Sequence, residues 1–320
     1  MTGVGMRRRR LFALGLGLAA CAAGCGVTRS GGTGGGTTGD ALGRVSVVPG
    51  DPRWEVMART LYRTMRRTGV PAAGTGGQTT ITVTGLYGLA AAEIGGHGSL
   101  QETTTPLARL TGHVEAVMVP ANSRFKHFDD LAADLLSQPD RAYLAGGPVG
   151  EPDHLLFGLI AQGLGADARR IDYTGYPGQD EVATALLGGH AAAATGRLAD
   201  WRGPVERGRV RVLAVSSANR VPGVEAPSLL ECGVRIDFAD WCAVVGPGRM
   251  DAGRRAAAVS LCESVAGSGP WQEACRDGGW DSIPLTGDGF ATWLAAESVR
   301  TRKVLRDLGL LDTPGTTYRG

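Results

Sequence analysis

Arg141-Ala142-Tyr143-Leu144-Ala145, followed by Gly146-Gly147-Pro148-Val149-Gly150-Glu151-Pro152-Asp153-His154, is the stretch that decides the fold. A short apolar run reads as a buried strand. A Gly- and Pro-rich turn stops it, and a helical pattern opens at Asp153 and runs to Leu164. Tyr173-Thr174-Gly175-Tyr176-Pro177-Gly178 repeats the arrangement before a helix beginning near Gln179. Such turns aim unpaired backbone N–H groups, and the positive end of a helix, at one point in space, which suits an anionic ligand. A third turn, Pro49-Gly50-Asp51-Pro52-Arg53, opens a helix at Trp54 and adds an arginine able to pair with a carboxylate.

Working outward, the alternation holds along the chain. Strand-like runs fall at 44–48, 79–84, 114–119, 141–145, 191–195, 210–216 and 241–245. Helical runs fall at 54–67, where Met57, Leu61 and Met65 recur every four residues, and at 128–136, 153–164, 179–187, 252–266 and 289–308. Gly69, Gly188 and Gly309 stand where C-terminal caps belong. Alternating βα units predict an α/β fold with mainly parallel sheets. There is no internal repeat.

The N-terminus places the protein. Arg7-Arg8-Arg9-Arg10 precede an apolar run from Leu11 to Ala20, the pattern of a secretory signal. The ending Leu18-Ala19-Ala20-Cys21 looks like a bacterial lipobox, which predicts lipidation of Cys21, with Cys25 as the alternative, and tethering to the outer face of the cell membrane. Arg9-Arg10-Leu11-Phe12 also resembles a twin-arginine signal, so Sec and twin-arginine export both remain open. Residues 1–20 are thus read as signal peptide and 21–41 as a Gly/Thr-rich tether. The tether contains G-x-G-x-x-G at Gly34, Gly36 and Gly39, but no strand precedes it, so the dinucleotide reading fails.

The formal charge of +2 becomes −2 once Arg7 to Arg10 are removed, because 29 basic then face 31 acidic residues. Such a balance offers no basic patch for nucleic acid. Cys232, Cys242, Cys262 and Cys275 are an even set in an exported chain, which predicts two disulfides. Three pairings satisfy four thiols, and proximity favours Cys232–Cys242 with Cys262–Cys275. No C-x2-C pair exists and no histidine lies near these cysteines, so no metal site is expected, and no cofactor motif is present. There is no G-x-S-x-G, P-loop or H-E-x-x-H, and His97, His113, His127, His154 and His190 are scattered. Enzymatic readings are therefore weak.

Several segments, in order, resemble the Bug-type (TctC-like) periplasmic receptors of tripartite tricarboxylate transporters. They are Thr105-Pro106-Leu107-Ala108-Arg109-Leu110, Pro120-Ala121-Asn122-Ser123, Gly147 to Leu155, Asp172-Tyr173-Thr174-Gly175 and Leu186-Leu187-Gly188-Gly189-His190. The run from Val212 to Val224, then Trp241 with Val245-Gly246-Pro247-Gly248, continues the match. The resemblance spans about residues 44–311 and rests on order and spacing.

The resemblance implies a two-lobed type II periplasmic binding protein fold with a ligand cleft between the lobes. One lobe would comprise 42–119 with 217–320, the other 120–216. Val114–Pro120 would form one crossing, and the second would follow Val210. It further implies a solute-binding receptor that captures a small carboxylate-bearing molecule, without cofactor or catalysis, for the membrane permease subunits of such a transporter. Glu55, Gly147, Gly150, His154, Tyr173 and Gly175 carry over by position. Arg53 and Glu151 mark departures. Asp51-Pro52-Arg53-Trp54 replaces the family's Gly-Gly turn, and Glu151 replaces a small hydroxyl residue. A carboxylate there repels an anionic ligand unless Arg53 offsets it, which widens the ligand class to an amino acid, an amide or a less charged acid. Three alternatives stay open: a sensing lipoprotein for a membrane kinase, an exported enzyme, and a receptor that has lost binding.

Overall fold

A computed structural model describes residues 42–68 and 78–311 of the protein. The lipobox at Cys21, the alternative Cys25, the tether and the proposed cap at Gly69 lie outside the described residues.

The described residues open with β1 (Arg44–Pro49), a 3-10 turn at Pro52–Trp54, and α1 (Glu55–Arg67). Then come β2 (Gln78–Gly85), α2 (Leu86–Ile94), a short α3 (Leu100–Thr103) and β3 (Thr104–Pro120). The middle of the chain holds α4 (Phe128–Ser137), β4 (Leu144–Gly146), α5 (Pro152–Leu164), β5 (Tyr173–Gly175), α6 (Gln179–Leu187), β6 (Ala193–Arg197), α7 (Leu198–Glu206) and β7 (Val210–Val215). It closes with β8 (Ala239–Pro247), α8 (Ala252–Ala266), α9 (Gly269–Gly278), β9 (Asp281–Thr286) and α10 (Gly287–Asp307).

The long strand β3 organises everything else. Its first half, Thr104 to Val114, pairs antiparallel with β8 and, from Ala108 to Gly112, with β9. Its second half, from Glu115 on, pairs antiparallel with β6 and β7. The path β1-β2-β8-β3-β6-β4-β5 therefore joins two βα halves through one shared strand. Among the described strands, the parallel pairs are β1–β2, β4–β5 and β4–β6. This corrects the mainly parallel expectation: parallel pairing is confined to each half's βα units, while the strands between them run antiparallel. The expected strand 114–119 is only the end of β3. Its earlier part contains Pro106, which cannot donate a ladder hydrogen bond, and the register shifts between Pro106 and Ala108.

The expected α1 stripe holds: Met57, Leu61 and Met65 are buried with Ala58, against Val45, Ile81, Val83 and Val244 in one apolar cluster. Each such aliphatic side chain contributes about 1.5–3 kcal/mol on burial. A second cluster lies under α6 and α7. The third is the largest and joins Leu155, Leu156 and Phe157 of α5 to Leu89 of α2 and to Phe290, Leu294, Val304 and Leu305 of α10. The last helix thus packs on elements from both halves of the sheet.

The cysteines depart from expectation. All four are free thiols. Cys242, Cys262 and Cys275 belong to the α1-side core, whereas Cys232 packs against the α10-side core, so proximity in sequence does not carry Cys232 to Cys242. Cys262 and Cys275 share a core on successive helices but are unbonded. Burial pushes the Cys262 thiol up to about 12, and those of Cys232 and Cys275 up to about 11, which keeps them protonated and unreactive.

Candidate functional site

The turns singled out in the sequence converge on one cleft of about 260 Å³. Its first wall follows β1. Asp51 caps the 3-10 turn, its Oδ1 accepting from Arg53 N (3.0 Å) and from Arg53 Nε (3.1 Å). Pro52, at the turn's first position, loses no bond it would have made. The guanidinium so held lies 3.2 Å from the Tyr87 ring centroid. It then reaches across the cleft to Glu151, Nη1 donating to Oε2 (3.2 Å) and Nη2 to Oε1 (3.0 Å). Burial opposes the Arg53 charge, yet Glu151 and Asp51 together outweigh it and raise the pKa.

The opposite wall is the turn between β4 and α5. Gly147 N–H donates to Asp153 Oδ2 (2.7 Å), and the Tyr173 hydroxyl donates to Gly147 O (2.6 Å). Gly150, at φ 87°, occupies the left-handed region, and its N–H donates to His154 Nδ1 (3.1 Å). His154 stacks on Tyr173 at 4.2 Å, and burial pushes its pKa down to about 4, so it is a neutral acceptor. Gly175 permits the close approach of the next strand: a Cβ there would stand 3.0 Å from Pro148 Cα and from Val149 N. Thr195 Oγ1 donates to Asp153 O (3.0 Å), which fastens the start of α5 to β6.

The floor is made where β6 and β8 approach. Arg197 donates to Asp240 Oδ2 from Nε (3.1 Å) and Nη2 (2.7 Å). Burial works against the Arg197 charge, but Asp240 and Glu115 hold its pKa up. Burial, and then the charge of Asp240, lift Asp153 to about 6 against the opposing pull of Gly147 N–H and Arg197. Glu115, fully buried on β3, is raised well above the carboxylate range by burial and then by Asp153 and Asp240.

The sequence-predicted residues divide three ways. Arg53, Gly147 and Glu151 line the cleft. Gly150, His154, Tyr173 and Gly175 lie behind it and fix the shape of its wall. Glu55 stands apart, exposed on α1 beside Arg59 (3.7 Å). Trp54 and Trp201 line the cleft, whereas Trp241 faces the other side of the sheet, where its Nε1 donates to Glu297 Oε1 (3.2 Å). Sequence reading missed Tyr87, Thr195, Arg197, Asp200 and Asp240. Arg197 had a signal, since it ends a strand just before a helix, like the other turns. Asp240, the second residue of β8, had none.

A larger open cavity of about 1240 Å³ lies elsewhere, but its cations are occupied. Arg211 serves the carbonyls of Ala121 and Phe125, and Arg220 pairs with Glu231. Among the described residues no group of three or more His, Cys, Asp or Glu is placed to hold a metal ion. No helix among them is long and apolar enough to cross a membrane.

The sequence profile described as the tripartite tricarboxylate transporter family receptor matches residues 99–310. The chain belongs to that family. No curated protein matches it by sequence. Among solved structures, a TctC solute-binding protein from Polaromonas, without ligand, superposes with a TM-score of 0.69 at 16% identity, over 83% of this chain and 99% of that one. MatC from Rhodopseudomonas palustris with bound malate gives 0.59 at 17% identity over 82% and 99%. An adipate-bound R. palustris protein gives 0.59 at 19% identity over 84% and 97%. These likenesses establish the shared two-lobed binding-protein fold. The TctC receptor bears a cleft in which Arg53 and Glu151 meet.

Proposed function

We propose that this TctC-family receptor is an extracytoplasmic lipoprotein. It captures a small carboxylate-bearing solute between two lobes and delivers it to the permease of a tripartite tricarboxylate-type transporter. The observation that carries this reading is the cleft itself: its walls come from turns on both βα halves, and the Arg53–Glu151 pair crosses its mouth. Residues 42–119 with 217–320 form one lobe and 120–216 the other, with β3 and the passage from β7 to β8 as the two crossings. Ligand contacts in both lobes favour the closed state by their differential affinity for it. Arg53, Gly147 and Glu151 face the solute, while His154, Tyr173, Gly150 and Gly175 hold the wall behind it. Anchoring at Cys21 keeps the receptor beside its permease.

A thermal-shift screen of the protein against carboxylates, amino acids and neutral amides tests the reading. A ligand at about 100 times its dissociation constant adds about 2.7 kcal/mol and raises the melting temperature by a few degrees. No shift across the panel sinks it. Cys21→Ser is expected to release the protein from membranes, and continued tight membrane association would refute the anchor.

A further inference from the structure

Both arginines of the cleft are already engaged. Arg53 serves Asp51 and Glu151, and Arg197 serves one oxygen of Asp240. What remains without a partner at the floor is a carboxylate oxygen. Asp240 is 2% exposed and lines the cleft, yet its Oδ1 accepts no hydrogen bond. Asp153 lines the same floor and brings a second carboxyl. Glu115, at 0% exposure just behind, is held toward its uncharged, protonated form by burial and then by Asp153 and Asp240. A buried polar atom left unmet costs about 1–3 kcal/mol, and more when charged. A solute that brings only carboxylates would add repulsion to this floor and find no free cation to answer it. An alkylammonium brings three N–H donors and one positive charge.

We propose that the floor at Asp240 and Asp153, backed by Glu115, is a subsite for an ammonium group, so that the receptor's solute is an amino acid and not a simple di- or tricarboxylate. This rests on the reading of the cleft as a solute site and names the class of solute. An ammonium seated there meets Asp240 Oδ1 and offsets the charge that Asp153 adds to the floor when it ionises. A metal ion is a poorer occupant, because among the described residues no group of three or more candidate ligand side chains is placed to hold one.

The proton balance supplies a signature. Asp153 faces Glu115 from β3, Asp240 from β8, Arg197 from β6, Tyr173 from β5 and Glu151 from its own turn. Its pKa is raised to about 6, burial being the main cause. An arriving ammonium favours its ionised form, so amine binding releases protons and tightens as pH rises through about 6. Binding of a plain carboxylate weakens over the same interval.

The test is isothermal titration of the full-length protein in detergent with matched pairs: alanine and propionate, glutamate and glutarate, γ-aminobutyrate and butyrate. At pH 7.5 the amine-bearing member of at least one pair is expected to bind tighter by about tenfold or more, equivalent to about 1.4 kcal/mol. Asp240→Asn and the isosteric Asp153→Asn, whose amide oxygen can still accept from Gly147 N–H, should each erase most of that preference, and a folded Asp153→Asn keeps the test open if Asp240→Asn does not fold. Deaminated acids that bind equally well or better would overturn the ammonium subsite and leave the receptor reading standing. An amine preference unchanged in Asp153→Asn, and in Asp240→Asn where it folds, would overturn the assignment to this floor. No heat from any member would overturn both readings.

Discussion

Two arginine–carboxylate pairs tie the halves of this molecule together, one at the mouth of the cleft and one at its floor. At the mouth, Arg53 and Glu151 meet through two hydrogen bonds, with side chains 32% and 20% exposed. At the floor, Arg197 gives both of its bonds to a single oxygen of Asp240, whose side chain is 3% exposed. The mouth pair is balanced and hydrated, so opening it returns both charges to water at small cost. The floor pair is unbalanced: its carboxylate is buried while the Arg197 side chain is 39% exposed. One carboxylate oxygen is unmet, and Asp153 adds negative charge to the same space as pH rises through about 6. The mouth pair therefore parts at little cost, whereas the floor keeps a carboxylate out of water.

The sharpest way to break this contrast is to remove Asp240. Asp240→Ala removes two charged hydrogen bonds from Arg197, of a kind worth about 1.5–3 kcal/mol, but leaves an arginine side chain that is 39% exposed and can reach water. Because removing Asp240 also relieves repulsion on Asp153, the loss is expected at about 2 kcal/mol, read by urea denaturation. A loss below about 1 kcal/mol would mean that the floor behaves like the mouth.

The second effect lies between floor and wall and has two opposing parts. Asp153 has its pKa raised to about 6 in the folded protein, so its contribution to stability is fullest below about pH 4 and is lost as pH rises to about 6. His154, its neighbour, is lowered to about 4. Its contribution is present above about pH 6.5 and is lost as pH falls to about 4. Each shift corresponds to about 3 kcal/mol, and over this window the two largely cancel. Asp153→Asn should uncover the histidine slope, so that stability falls on acidification more steeply than in the parent. His154→Asn, which keeps an acceptor for Gly150 N–H, should uncover the opposite slope. Denaturation midpoints at pH 4, 5, 6 and 7 check both, and parallel profiles for both variants and the parent would refute the shifts.

The two regions differed equally in how far the sequence disclosed them. The wall was legible because turn chemistry is local: Gly147, Gly150 and Glu151 lie between an apolar strand and a helix, and glycine before a helix start is a signal in its own right. Helices at Gln179–Leu187 and Ala252–Ala266 match their expected ranges for the same reason, their ends being set by nearby residues. The floor was not legible. Asp240 and Glu115 sit in strands, where a single carboxylate reads as a solvent-facing position, and only the pairing of β3 with β6 and β8 buries them together. Arg197 was hidden by a two-residue displacement, since the strand expected at 191–195 runs from Ala193 to Arg197. Glu55 failed in the other direction. Its position at a helix start suggested a site, but the 3-10 turn at Pro52–Trp54 rotates it out to solvent.

The smallest effect is the one that separates holding from gating. At the mouth, a double-mutant cycle on Arg53→Ala and Glu151→Ala should return a coupling of only about 0.5–1 kcal/mol in stability, as for other half-exposed pairs. Arg53→Ala alone should cost slightly more than Glu151→Ala, because it also loses the stacking on Tyr87, worth about 0.5–1 kcal/mol. In solute binding the order should reverse in importance. Arg53→Ala leaves Glu151 uncompensated at the entrance and is expected to weaken capture of any carboxylate-bearing solute, whereas Glu151→Ala frees the guanidinium to meet that carboxylate and should strengthen it. Titration of the two single variants with one common ligand reads this directly. Equal affinities in both would mean that the pair is a surface contact with no part in admitting the solute, and the distinction between mouth and floor would then rest on Asp240 alone.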